Sequence, residues 1–357
     1  MNTVVISDIH IGANRSGGTT PASALELRRY ILFNFTQLLE QANGCNLLIN
    51  GDLFDASHIP LVDMYATQTI LADWLQRNPE SSLCLPPGNH DLSKNTDVFS
   101  AFDYLANHLR TRYPTQVVIP RSGEMCLPSI LGYVVPHMAN QDLFDRELML
   151  VPQCDFLFLH CNYDNKFAAQ SDHSLNLSPE TAAKLPARHI IIGHEHQAKS
   201  ALEGKVRVAG NQIPSSVMDC LGNESKWMLK LARGAVMREP PVIERIQTWE
   251  AEGSFTTIDW RAIGDNDAAW LPDFVRVEGE ATAGEAAAVV AAISKVRQRA
   301  QSFVITNAVK IEGMSSDEQM QLSLEQVQSF DIMSALLDFL DDDMRAAVRR
   351  LMEGRRA

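Results

Sequence analysis

Along the first 220 or so residues, short aliphatic runs alternate with stretches in which apolar residues recur at helical spacing. The runs fall at residues 4–6, 46–49, 82–85, 117–119, 133–135, 156–159 and 189–192. This alternation predicts an α/β sheet layered by helices. Between the first two runs, Leu25, Leu27, Ile31, Leu32, Phe35, Leu38 and Leu39 mark one helix face. Thr20 and Pro21 suit its N-cap and first helical position. Beyond about Cys220 the texture changes, and residues 242–260 mix β-branched and aromatic side chains. Residues 274–277, an alanine-rich stretch near 284–299, and residues 303–311 predict a strand, a helix and a strand. In the last segment, Met333, Leu336, Leu337, Leu340, Met344, Ala347, Val348 and Leu351 form one apolar stripe at helical spacing.

Composition narrows the class. The chain has 357 residues, 45% hydrophobic and 21% charged, the make-up of an ordinary globular protein. No apolar stretch approaches the roughly 20 residues that span a bilayer, so no membrane association is expected. The first strand begins almost at Met1 with no basic or long apolar lead, which predicts a cytoplasmic protein. Six scattered cysteines without a Cys-x-x-Cys pair read as buried reduced thiols. The formal charge of −13 weighs against broad nonspecific nucleic-acid binding. Two bound divalent ions would concentrate positive charge locally, so a DNA groove has to be local or supplied by a partner.

Five short clusters follow predicted strands: Asp8-Ile9-His10, Gly51-Asp52-Leu53-Phe54-Asp55, Gly88-Asn89-His90-Asp91, His160 with Asn162, and Gly193-His194-Glu195-His196. In an open α/β sheet, loops at the carboxyl ends of strands face one crevice. Residues i and i+2 of extended backbone point the same way, so Asp8 with His10, and His194 with His196, can each offer two ligands. The glycines preceding them allow tight turns and close approach of backbone to a metal. Carboxylate, imidazole and amide oxygen suit manganese, iron or zinc, and a central carboxylate, Asp52, can bridge two ions. Any one cluster alone is weak, but five in this order are a joint signal.

Taken together, the clusters resemble the calcineurin-like metallophosphoesterase pattern over roughly residues 1–220. The resemblance implies that family's β-sandwich layered by helices and hydrolysis of a phosphate ester at two divalent ions. Manganese is the first expectation, with iron, zinc or magnesium as alternatives. It further implies that one ion takes Asp8, His10, Asp52 and His196, and the other Asp52, Asn89, His160 and His194. His90 would face the scissile phosphate as general acid. Protein phosphatases of this superfamily carry Gly-Asp-x-x-Asp-Arg-Gly, whereas Ala56 stands here in the arginine position.

Gly51-Asp52-Leu53-Phe54-Asp55 followed by Pro60, the run 87–91 and the segment Gly210-Asn211-Gln212-Ile213-Pro214-Ser215-Ser216 resemble SbcD-type DNA-repair nucleases. That resemblance implies a catalytic domain over 1–225, a small α/β capping domain over 226–320 that contacts DNA, and C-terminal helices over 321–357. The last would bind an SbcC-like ABC-type ATPase, with the apolar stripe laid in a partner groove. A homodimer is expected as well. Arg15 and Asp55 are further candidates for substrate contact; His58 and His137 could approach the site, with ordinary surface or core placement the first expectation. The competing readings are a small-molecule metallophosphodiesterase, acting on cyclic nucleotides or nucleotide lipids, and a non-enzymatic scaffold of the same fold.

Overall fold

Strands covered on both faces account for the unbroken apolar runs. The computed structural model describes residues 1–13, 21–93, 98–165, 175–216, 219, 225–233, 240–250, 255–263, 274–297 and 304–312. In chain order, β1 (Thr3–Ile6), helix α1 (Pro21–Gln41), β2 (Asn46–Ile49), α2 (Leu61–Arg77), β3 (Leu83–Cys84), α3 (Ala101–Arg112) and β4 (Val117–Val118) build most of a first sheet and its helical cover. The second sheet takes β5 (Glu124–Leu127), β6 (Gly132–Val135), β7 (Cys154–His160), β10 (Ala187–Gly193), β11 (Lys199–Ala201) and β12 (Val206–Val208). The helices α4 (Gln141–Met149) and α5 (Pro179–Lys184) accompany it, and β8 (Asn162–Tyr163) pairs apart from it with β9 (Asn176–Leu177).

Alternation along each strand divides the core into three layers. Val5, Leu48, Phe156, Phe158 and Ile191 point between the two sheets. Their neighbours Val4, Ile6, Leu47 and Ile49 face a layer that includes Leu27, Ile31 and Phe35 of α1 and Leu71 and Trp74 of α2. On the far side, Leu157, Leu159, Ile190 and Ile192 meet Phe144 and Leu148 of α4 and Ala182 of α5. The result is a pair of mixed six-stranded sheets flanked by helices, the expected α/β class. Because β1–β4 run parallel to one another, as do β6, β7, β10 and β12, the loops after β1, β2, β3, β7 and β10 open at one edge.

The first sheet is completed from far along the chain by β13 (Lys226–Ala232) and β14 (Val242–Trp249), in the order β14-β13-β1-β2-β3-β4. A domain boundary between 225 and 226 therefore needs correcting. Thr3, Val4 and Val5 pair with Leu231, Lys230 and Leu229, and Leu229 and Leu231 pack between the sheets. Burial of those two leucines draws this hairpin into the two-sheet core.

The separate small unit begins at β15 (Phe255–Asp259) and continues through β16 (Phe274–Ala281), α6 (Ala286–Arg297) and β17 (Val304–Ile311). Its three strands are parallel, with α6 as the crossover between β16 and β17. The strand, helix and strand anticipated from sequence are present, with β15 added at one edge. Val275, Val277, Ile293, Val296 and Val309 form its own core with Trp260. It sits on α1 through stacked Phe255 and Phe274, 4.6 Å between centroids, each meeting Tyr30 at 5.4 Å. No helix among the described residues is long and apolar enough to cross a membrane. The anticipated C-terminal helices at 321–357, Arg15 and Thr20 lie outside the described residues.

Candidate metal centre

Five loops from the two sheets meet at the common edge. Asp8, His10, Asp52 and His160 have almost no exposed surface, so their polar atoms need partners other than water. Asn50 stitches the sheets together: its amide donates to the Leu159 carbonyl (2.9 Å), and its carbonyl accepts from His160 Nδ1 (2.8 Å). Asp91 joins two loops by accepting from the backbone of Gly88 (2.9 Å), Phe54 (2.9 Å) and Leu53 (3.3 Å).

The backbone that presents these groups is unlike the extended conformation anticipated from their i, i+2 spacing. Asp8 (φ 55°), His10 (φ 55°), Asp52 (φ 50°) and His194 (φ 87°) are all left-handed. For an L-residue this conformation costs about 1–2 kcal/mol. Such strain persists only where surroundings over-determine it, and it gathers at functional sites. Tight turns, not strand alternation, therefore aim the ligand-type side chains inward. The glycines make room for the side chains packed against them. A Cβ at Gly51 (φ 84°) would overlap the His160 ring, and one at Gly88 would overlap Asp52.

Three sets of ligand-type atoms result among the described residues, one of them His10, Asp55 and His90. Asp8, His10 and His196 bring ligand atoms within 4.8 Å of one another, as do Asp52, His160 and His194. His196 Nδ1 lies 2.7 Å from Asp219 Oδ1, and His10 Nδ1 lies 3.4 Å from Asp55 Oδ1. A nitrogen facing a carboxylate carries the proton, so the other nitrogen of each ring presents its lone pair. Those two Nε2 atoms stand 3.0 Å apart, close enough to share one proton or to bind one cation together. In the second set, His160 Nδ1 is committed to Asn50. Its Nε2 faces Asn89 Oδ1 (3.2 Å) and Asp52 Oδ2 (3.3 Å), and His194 Nδ1 also meets Asn89 Oδ1 (2.9 Å). Convergent imidazole, carboxylate and amide atoms, with the outer nitrogens of His10, His160 and His196 already occupied, fit divalent metal ions.

The electrostatics agree. Burial would raise the Asp52 carboxyl, but the charge and hydrogen bond of His160 outweigh it and hold Asp52 well below the usual range. Burial disfavours charge on His160, yet the carboxylates of Asp52 and Asp8 raise it to about 9. The pocket is thus built to hold positive charge. Asp91 is pushed up to about 7 by burial and by the charge of Asp52.

His90 is half-buried. Its Nδ1 lies 2.7 Å from the Asp55 carbonyl and its backbone N–H donates to Asp52 Oδ1 at 2.9 Å. The carboxylate of Asp55 turns to His10. Asn162 is directed away, toward Leu175 and Asn165. Sequence reasoning set His137 aside and did not single out Asp219 or Gln212. The His137 ring stands edge-on to His160 at 6.5 Å, and burial together with the His160 charge lowers its pKa to about 4. Neither Asp219 nor Gln212 sits in a recognisable ligand motif.

A family model described as calcineurin-like phosphoesterase matches residues 1–198. No curated protein sequence matches the chain. Among solved structures, the cold-active protein-tyrosine phosphatase of a psychrophilic Shewanella species aligns at 12% identity over 69% of this chain and 80% of that one. Its TM-score of 0.35 is too slight a likeness to bear on substrate.

Proposed function

The chain belongs to the calcineurin-like phosphoesterase family, and from that premise we propose that it is an SbcD-type nuclease subunit cutting phosphodiester bonds in DNA at two divalent metal ions. Metal-dependent hydrolysis of a phosphoester is the chemistry of the family. In this reading Asp8, His10, Asp52 and His196 hold one ion, and Asp52, Asn89, His160 and His194 the other. Manganese is the metal proposed. When bound, such ions supply Lewis-acid charge against phosphate oxygens and make water nucleophilic at neutral pH.

The remaining work falls to the chain's own groups. With Nδ1–H donated to the Asp55 carbonyl, His90 keeps its Nε2 for the proton handed to the leaving oxygen. Asp91 holds the His90 loop against the Asp52 loop, so acid and ligands keep one geometry. Asn50 fixes the His160 ring with Nε2 inward.

The observation that carries the DNA reading is the parallel α/β unit of residues 255–312, packed beside the catalytic sheets on α1. A polymer can use such an added surface, whereas a small phosphodiester has no need of it. Ala56, at the position where protein phosphatases carry arginine, supports a substrate other than a phosphoprotein. We extend the proposal to an SbcC-like ATPase bound through residues 321–357, and to a homodimer. Exposed Leu61, Val62 and Tyr65 on α2, with Phe99 ahead of α3, support the dimer. The Ser57–Ala101 backbone bond (2.8 Å) brings the two segments together. Five buried free thiols among the described residues support a cytoplasmic location.

Incubation with manganese and end-labelled linear DNA, alongside cyclic nucleotides, tests the substrate. Cleavage of DNA is expected, and turnover of the cyclic nucleotides alone defeats the nuclease reading. Removal of residues 329–357 should abolish co-purification with the ATPase; unchanged retention contradicts that partner site.

A further inference from the structure

The two candidate ion positions are braced from different parts of the chain. The second is supported from within the family-matched residues, since His160 is oriented by the Asn50 carbonyl. The first, where Asp55 faces His10 from within them, is supported also from outside them. Asp219 is 4% exposed, and its Oδ2 accepts from the backbone of Ser215 (2.8 Å) and Ser216 (3.0 Å) and from Ser215 Oγ (3.1 Å). That anchoring leaves Oδ1 for His196 Nδ1 at 2.7 Å. Lys226 Nζ, at the start of β13, holds the His196 carbonyl at 3.2 Å.

Gln212 braces the other side of the same position. It is fully buried, and its amide donates to the Gly210 and Trp227 carbonyls (2.6 and 3.3 Å), which fixes its orientation. Its Oε1 then accepts from the backbone N–H of Ser7 at 2.5 Å, steadying the left-handed turn that presents Asp8. Thr248 on β14 ties the Gln212 carbonyl to the first sheet at 2.8 Å.

Resting on the two-ion reading, we infer that Asp219 and Gln212 are positioning residues that set metal affinity chiefly at the Asp8–His10–His196 position, Gln212 reaching the other position only at second hand, through Ser7 Oγ on the Asn50 carbonyl (3.2 Å) and Asp8 on the His194 backbone N–H (3.0 Å). Asp219 does so through His196, by fixing the tautomer that turns Nε2 inward; Gln212 does so through the Ser7–Asp8 turn. Outer carboxylates that orient a ligating imidazole typically govern metal affinity about 10–100-fold. Gln212, Asp219 and the β13–β14 hairpin thus form an outer layer that bears most directly on one ion.

The test is manganese titration of the full-length chain by calorimetry, with electron paramagnetic resonance reporting whether two ions sit as a coupled pair. Wild type should take two ions. Asp219→Ala should weaken one of them about 10–100-fold and lose the coupled-pair signal at sub-saturating metal, while the other ion binds as before. Asp219→Asn, which keeps an acceptor oxygen, should recover part of the loss, and Gln212→Leu should weaken the same ion more than the other. Equal weakening of both ions, as general loosening would give, overturns the inference, and so does unchanged binding of both. Fewer than two ions in wild type would overturn the two-ion reading itself and the inference with it.

Discussion

Replacing Gly51 by alanine isolates the contact that shapes the second ion position. Gly51 has φ 84°, and an added Cβ would fall on the His160 ring, within 2.6 Å of Cγ and 2.7 Å of Cε1. The left-handed backbone alone costs an L-residue about 1–2 kcal/mol. Forcing a methyl into a packed site adds about 1–3 kcal/mol. The displaced ring loses its 2.8 Å bond to Asn50, worth about 1–3 kcal/mol when a buried partner is orphaned. A total near 3–8 kcal/mol follows if the three add. Gly44 supplies the control, since its φ of 73° is also left-handed but nothing lies within 4 Å of its would-be Cβ. Gly44→Ala should therefore cost only about 1–2 kcal/mol. Urea unfolding of the metal-free proteins measures both, and manganese titration should show an ion weakened in Gly51→Ala alone. Equal costs for the two substitutions, with metal binding intact in both, would refute the reasoning.

Three further outcomes are expected. His90→Ala should lower kcat by about 10²–10⁴ in steady-state hydrolysis while metal content by atomic emission stays unchanged, because neither proposed ion position uses His90. Loss of an ion would instead place metal in the His10–Asp55–His90 group. His137 has its pKa lowered to about 4 by burial and the His160 charge, against about 6.5 in the unfolded chain. The unfolded state therefore binds more protons between those values, so stability is present above pH 6.5 and falls as pH drops toward 4, by up to about 3 kcal/mol. His137→Gln should flatten that stretch of the urea-midpoint profile. Phe274, 1% exposed and stacked on Phe255, should cost about 3–5 kcal/mol as alanine, with hydrogen exchange rising first in β15–β17.

What sequence could read was governed by how local the determining physics is. β1, β2, β7 and β10 were legible because burial on both faces leaves an unbroken apolar run, as in Phe156-Leu157-Phe158-Leu159. The ligand-type residues were legible because each cluster keeps its members within a few positions. The β13–β14 hairpin was misplaced because its partner β1 lies more than 200 residues away, and nothing local in its pattern names that partner. β5 escaped because Glu124 and Met125 face solvent at a sheet edge. The left-handed turns at Asp8, His10 and Asp52 carry no propensity signal, since only tertiary contacts pay for that backbone. Asp219 and Gln212 are ordinary polar residues whose roles exist only after the chain returns to β1.

Manganese anomalous scattering from crystals of the full-length chain tests the paired-ion centre most directly. Two peaks are expected, one among Asp8, His10 and His196 and one among Asp52, Asn89, His160 and His194. A single peak, or density bound elsewhere while these side chains stay empty, would contradict it.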